Sequence, residues 1–357
     1  MEKDFSPATL QSIQQEFWEY IHTLKSDVYT ILDTEFQIPS KIKDAVIEMI
    51  EYNVVGGKMI RGLFAVYTTY ATSSVWDEQR KKEAYVIGWC AELLQGAFLI
   101  ADDIMDESET RRGKPSWYRV KRVGMMSIND SFILQTLIFT LIQKEITDSR
   151  RQLSLLTVFE KIKFRTEVGQ MLDLNTVNQE DRSLNYQYFS FQYYNEIITN
   201  KTAYYTIFMP IYLGLVLSEC DESLLKSPVL ADLCLQLGRF FQIRDDYLDV
   251  FADPSVLKKE GTDIQEGKCS WVVLTVFSMC SEKDRDVLKQ NYGKNDREFV
   301  DRVKAVMNAY DVHSAYHACE AETLQTVNTL ISAVPDKRIV PVLQLLSDKL
   351  LDRKSVV

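Results

Sequence analysis

Two clusters in the chain share the pattern Asp-Asp-x-x-Asp: Asp102, Asp103 and Asp106, then Asp245, Asp246 and Asp249. On a helix, residues four apart share a face, so Asp102 with Asp106 and Asp245 with Asp249 each aim two carboxylates the same way. Like charges at that spacing repel by a few tenths of a kcal/mol on an exposed helix and by more where screening is weak, so each cluster calls for a cation. Hard oxygen ligands without nearby His or Cys suit Mg²⁺, which keeps several waters and bridges one or two carboxylates to a diphosphate; Mn²⁺ accepts the same ligands. Two clusters on facing helices could clamp one diphosphate through shared ions. The plainer alternative, a solvated acidic helix face, is open to either cluster alone in a chain with 51 acidic residues.

The elements that would carry the clusters favour the first reading. Each cluster ends an apolar helical approach, Leu93 to Ala101 and Leu237 to Ile243, as at the mouth of an apolar cavity. Helical periodicity covers nearly everything else: about Tyr85–Asp106, Leu153–Leu174, Tyr188–Leu217, Leu230–Phe251 and Ser270–Cys280, with surface helices over Pro7–Thr34 and Ser40–Glu51. A further helix, capped by Asp130, has apolar residues around most of its circumference and is expected at the centre of a bundle. Asp253-Pro254 should stop the helix of the second cluster, with a polar loop over Lys258–Lys268. Gly and Pro number 13 and 8, and strand-like alternation is hard to find. The expected fold is all-α, one large helical domain over residues 1–357 with no linker.

The bulk numbers agree. The chain is 46% hydrophobic and 26% charged, enough apolar surface for a sizeable core. Its formal charge of −10 argues against nucleic acid or an anionic membrane as partner, so an anionic substrate would need local cations or metal. Six widely spaced cysteines read as reduced thiols, and the N-terminus lacks the features of a signal or transit peptide; a cytoplasmic protein is expected, a trimmed transit peptide aside. The most apolar stretch, Ala203–Leu217, is short for a membrane span and contains Pro210, so no transmembrane segment is expected. His313 and His317 lack a third ligand and read as structural, and the aromatics Tyr188, Phe189, Phe191, Tyr193 and Tyr194 read as packing.

Longer matches carry a resemblance. Ala101-Asp102-Asp103-Ile104-Met105-Asp106 continues to Thr110-Arg111-Arg112-Gly113; Phe240-Phe241-Gln242 with Asp245-Asp246-Tyr247-Leu248-Asp249 continues to Gly261-Thr262-Asp263-Ile264-Gln265 and Gly267-Lys268-Cys269-Ser270-Trp271. From about Tyr52 to the C-terminus the chain resembles the trans-isoprenyl diphosphate synthases, most closely the eukaryotic farnesyl diphosphate synthases. The resemblance implies an isoprenoid-synthase bundle with a central cavity, a homodimer and prenyl diphosphate substrates. It implies three Mg²⁺ ions on Asp102, Asp106 and Asp245, supported by Asp103, Asp246 and Asp249, and a grip on the allylic diphosphate by Arg111, Lys201, Lys259 and Lys268. Lys201, Thr202 and Gln242 would face the developing carbocation, and Lys58, Arg61, Gln95 and Arg112 would bind isopentenyl diphosphate.

Two positions depart from the family pattern: Ile60, where an Asn is typical, and Ala97, where an aromatic usually precedes the retained Phe98. In the family, the positions of Ala97 and Phe98 form the floor that limits product length. One helical turn is about 5.4 Å, near the reach of one isoprene unit, so a smaller floor residue can admit a longer or differently folded chain. The implied activity is condensation of dimethylallyl or geranyl diphosphate with isopentenyl diphosphate. The alternative, motivated by Ile60 and Ala97, is a terpene synthase that ionises a prenyl diphosphate without using isopentenyl diphosphate. A non-enzymatic regulatory subunit is disfavoured by the intact aspartates, Lys201 and Lys259.

Overall fold

A computed structural model describes residues 3–178, 180–252 and 261–351. In chain order its main helices are α1 (Pro7–Thr34), α2 (Ser40–Asn53), α3 (Ile60–Thr72), α4 (Glu78–Met105), α5 (Ser127–Glu145), α6 (Ser149–Leu174), α7 (Phe191–Ile197), α8 (Met209–Leu217), α9 (Glu222–Leu225) and α10 (Pro228–Phe251). Five more follow: Asp263–Glu266, Trp271–Met279, Glu282–Asn291, Arg297–Asn308 and Val312–Ala333, before a last helix over Val340–Leu351. The all-α expectation holds. Polar side chains set many of the helix starts: Ser6, Asp77, Ser190, Ser270 and Asp311 each accept a backbone N–H at an N-terminus.

The contacts divide the chain into two compact units. The first comprises Met1–Lys161, Met209–Ser227 and Pro335–Leu343. In it, α3 packs on α4 and α8, and α4 on α5. Its core includes Phe17, which stacks on Trp89 at 5.0 Å, and the buried Leu24, Ile31, Ile87 and Leu93. The second comprises Ile162–Phe208, Pro228–Val334 and Gln344–Val357, where α10 packs against residues 198–208 and the Val312–Ala333 helix. Its core holds Phe240, Leu237, Val273 and Tyr316, the last stacked on Tyr247 at 4.0 Å.

Several local expectations are corrected. Asp130 is not a cap: α5 starts at Ser127, and Asp130 instead accepts from the Trp117 indole N–H (2.8 Å). Nor is α5 a fully buried central helix, because Ile128 and Phe132 are exposed. The helical stretch expected over Tyr188–Leu217 is α-helical only at its ends; Ile198–Phe208 forms a π-helix. Inside the loop expected over Lys258–Lys268, Asp263–Glu266 forms one helical turn closed by Gly267 in the left-handed conformation. Asp253, Pro254 and Lys259 lie outside the described residues. Two helices, Glu78–Met105 and Gly124–Glu145, are long and apolar enough to cross a membrane by length and composition; 78% of the first one's apolar window is buried, as in a core helix.

Candidate active site

The first aspartate cluster lies at the C-terminal end of α4, where Asp103 is buried and Asp102 and Asp106 are half-buried. The chain then turns through a minimal hairpin in which Thr110 pairs with Pro115 and Arg111 with Lys114. Its two-residue loop, Arg112-Gly113, has φ of 53° and 75°, the left-handed geometry that matches strand twist in a tight hairpin. This turn parts the two arginines. Arg111 goes back to the cluster: its Nε donates to Asp103 Oδ1 (2.9 Å), Nη2 contacts the same oxygen, and Nη2 lies 3.6 Å from Asp102 Oδ2. Burial pushes the Asp103 carboxyl up, and Arg111 pulls against that shift.

Arg112 goes elsewhere in the same unit, with Nη1 near the carbonyls of Asn53 (3.5 Å) and Val55 (3.4 Å). A Cβ on Gly57 would lie 3.5 Å from its guanidinium carbon, so this glycine brings backbone against Arg112. Arg61, in the first turn of α3, donates from Nη1 to Gln95 Oε1 on α4 (2.7 Å). Lys58 is exposed just before α3. Gly57 to Arg61, Gln95 and Arg112 therefore belong to one unit. Ala97 is fully buried and its carbonyl accepts from Ser131 on α5 (3.0 Å), while Phe98 is half-buried.

The second cluster sits near the end of α10, with Asp245 exposed and Asp246 and Asp249 buried. Neutral donors hold Asp246: the Tyr194 hydroxyl (2.7 Å), Gln242 Nε2 (2.8 Å) and the Trp271 backbone N–H (2.8 Å). Burial raises its carboxyl above the usual range; those donors oppose the shift and Asp245 adds to it. Gln242 in turn accepts from the Thr202 hydroxyl (2.7 Å), a chain running from the π-helix to the cluster. Asp249 accepts from the Asp263 N–H (3.0 Å).

The π-helix is held at short range by two glycines. A Cβ on Gly169 of α6 would fall 2.2 Å from the Lys201 nitrogen, and one on Gly238 of α10 would fall 2.6 Å from Ala203 Cα. No L side chain fits at either place, so both helices press directly on the irregular backbone. π-Helical turns are costly and recur at functional sites. Lys201 leaves this segment to meet Asp173 of α6 (2.6 Å), and Lys268 reaches the same Asp173 oxygen (3.3 Å). Burial would raise the Asp173 carboxyl, but the two ammonium groups outweigh it and hold the pKa well below the usual carboxylate range.

The sequence does not single out Asp173, one acidic residue near the end of a long helix, and Tyr194 reads there as a packing aromatic, whereas its hydroxyl donates to Asp246. The two histidines make structural contacts, as expected: His313 bonds the Tyr247 hydroxyl (2.5 Å) and His317 approaches Glu320 (3.4 Å). All donors in both clusters are carboxylate oxygens, which is Mg²⁺ chemistry. No group of three or more Asp, Glu, His or Cys among the described residues closes into a ready-made metal cage. A carboxylate set of this kind suits an ion that keeps water and phosphate ligands.

A family model described as polyprenyl synthetase matches residues 43–310. Among curated relatives, the chain is 35% identical to farnesyl pyrophosphate synthase 2 of Arabidopsis thaliana, covering 97% of this chain and 100% of that one. It is 38% identical to farnesyl pyrophosphate synthase of Saccharomyces cerevisiae over 85% of this chain and 86% of that one. For the Mus musculus farnesyl pyrophosphate synthase the figures are 37%, 90% and 92%. Among solved structures, T. brucei farnesyl diphosphate synthase complexed with risedronate superposes with a TM-score of 0.87 at 30% identity, covering 96% of this chain and 99% of that one.

Proposed function

Because this chain belongs to the polyprenyl synthetase family and is a trans-prenyltransferase, we propose that it condenses dimethylallyl or geranyl diphosphate with isopentenyl diphosphate to make farnesyl diphosphate, the whole chain working as one enzyme domain. Dependence on a divalent metal, generally Mg²⁺, comes with the family. We assign three ions to Asp102, Asp106 and Asp245, with Asp103, Asp246 and Asp249 in support; bound Mg²⁺ would neutralise charge gathering on the leaving diphosphate.

The observation that carries this reading is the hydrogen-bond chain from Thr202 through Gln242 to Asp246, which ties an irregular helical segment bearing Lys201 to an aspartate cluster. In the proposed reaction Arg111, Lys201 and Lys268 bind the allylic diphosphate and stabilise the charge that grows as its carbon–oxygen bond breaks; Lys259 has the same assignment. At ~4 Å and an effective dielectric of ~20, one such charge pair is worth about 4 kcal/mol. The Thr202 hydroxyl and the Gln242 amide present fixed dipoles to the allylic cation without capturing it. Lys58, Arg61, Gln95 and Arg112 orient isopentenyl diphosphate, whose double bond attacks the cation; proton loss to the released diphosphate completes the cycle. Ala97 and Phe98 set the length the product can reach.

The homodimer belongs to the same proposal. Met125, Met126, Ile128, Phe132 and Leu153 in the first unit are exposed, as are Phe164 and Met171 in the second, and a partner copy would cover them. A cytoplasmic location is proposed on the six free cysteines.

Incubation with Mg²⁺ and geranyl diphosphate, with and without isopentenyl diphosphate, tests the reading. Farnesyl diphosphate forms only when both substrates are present. Hydrocarbon or alcohol products without isopentenyl diphosphate, and no elongation with it, would establish the terpene synthase alternative.

A further inference from the structure

Glu92 is a buried carboxylate with no part in the chemistry above, and it lies in the first unit beside three groups assigned to the second substrate. It sits on α4, one turn after Gly88 and three residues before Gln95. Its Oε1 accepts from the Gly62 N–H (2.7 Å), and the Arg61 N–H also turns toward it. Both amides belong to the first turn of α3. That turn has no cap of its own: Met59 stands at the N-cap in the left-handed conformation without a side-chain hydrogen bond, and no acidic residue follows in the first turn. Unsatisfied N–H groups and the positive end of the helix dipole meet there, and Glu92 answers both from the neighbouring helix.

Two glycines make the reach short enough. A Cβ on Gly62 would lie 2.8 Å from the Gly88 carbonyl oxygen, and one on Gly88 would lie 2.9 Å from that of Gly62. With hydrogen in both places, α3 and α4 cross almost backbone to backbone, and the carboxylate spans the gap. The same group balances charge. Burial raises its carboxyl, while Arg61, the two amides and Arg112 favour the anion; for Arg112, burial, Arg111 and Arg61 act against the cation and Glu92 acts for it.

We propose that Glu92 is the positioning residue for isopentenyl diphosphate binding: it fixes the start of α3 and holds Arg61 and Arg112 close together as a cationic pair that a diphosphate can join. This rests on the elongation reading given above. Without Glu92, two guanidinium groups in a partly buried site repel, and the first turn of α3, with Lys58 just ahead of it, loses its anchor. The allylic diphosphate is assigned to other residues, so its binding is untouched.

The test is steady-state kinetics on Glu92→Gln and Glu92→Asp, with calorimetric titration of isopentenyl diphosphate into each protein and thermal melting alongside. Glu92→Gln keeps an acceptor for Gly62 and removes the charge. It should raise the KM for isopentenyl diphosphate about tenfold, the scale of one charge-assisted hydrogen bond. The KM for geranyl diphosphate should stay within about twofold and the Tm within a few degrees, and calorimetry should repeat the tenfold loss, with Glu92→Asp in between. An equal rise in both KM values, or a lowered Tm with unchanged affinity for isopentenyl diphosphate, overturns the proposal. Wild-type protein that binds isopentenyl diphosphate without elongating sinks only the reading on which the proposal rests, because the calorimetric comparison still decides it. Wild-type protein that does not bind isopentenyl diphosphate overturns both.

Discussion

The two aspartate clusters are alike in spelling and unlike in how the fold treats them. In each the middle aspartate is buried: Asp103 on α4 and Asp246 on α10. Asp103 is matched by a full positive charge, Arg111, delivered by a two-residue hairpin just beyond it. Asp246 is matched by dipoles only, from Tyr194, Gln242 and the Trp271 amide. A guanidinium can be exchanged for another cation: in the proposed reaction the substrate's diphosphate would compete for Arg111 and Mg²⁺ would take its place on the carboxylates. Neutral donors have no such competitor. On that proposal one cluster is built to change partners and the other to keep them.

The largest expected effect breaks both alike. Asp102→Ala or Asp245→Ala should lower kcat by about 10³-fold, the rate equivalent of one ~4 kcal/mol charge pair. Product formation assayed across a range of Mg²⁺ checks this, with circular dichroism to confirm the fold. Undiminished turnover at limiting Mg²⁺ would contradict the metal assignment.

A smaller effect separates the clusters. Arg111→Met and Tyr194→Phe should each destabilise the protein by about 1–3 kcal/mol, because each leaves a buried carboxylate short of a donor. Added Mg²⁺ should restore the thermal stability of Arg111→Met and leave the Tyr194→Phe deficit in place. Equal rescue of the two in thermal melts would erase the distinction between the clusters.

The smallest effect concerns Asp173, whose two lysines form a third way of matching charge. Its folded-state pKa is depressed, so its contribution to stability is fully present above the unfolded carboxylate value near ~4 and is lost as pH falls through the folded value. Asp173→Asn should therefore flatten the acid limb of the stability curve below about pH 5, measured by urea denaturation across pH. An acid limb identical to that of the wild type would remove Asp173 from this role.

Much of the fold is legible in the sequence. The helices α1, α2, α6 and α10 follow the apolar periodicity to within a few residues, and both clusters fall on helices at the ends of apolar approaches, as their spacing implied. What misled was local in appearance and tertiary in cause. Asp130 looked like a cap because its type suits one, but the Trp117 indole claims it and the helix begins earlier. The π-helix kept an ordinary apolar pattern, and its geometry is tied to Gly169 and Gly238 on two other helices.

The sequence by itself determined the helical class, the placing of both aspartate clusters near helix ends and the family, because these depend on residues a few positions apart or on whole motifs. Tertiary structure alone decided which buried carboxylate meets which donor: Asp173 with Lys201 and Lys268, Asp246 with Tyr194, and Glu92 with Gly62. Those partners stand 28, 95, 52 and 30 residues apart in the chain. Helical periodicity says which face of a helix turns inward, but only the packing of one helix on another says what waits there.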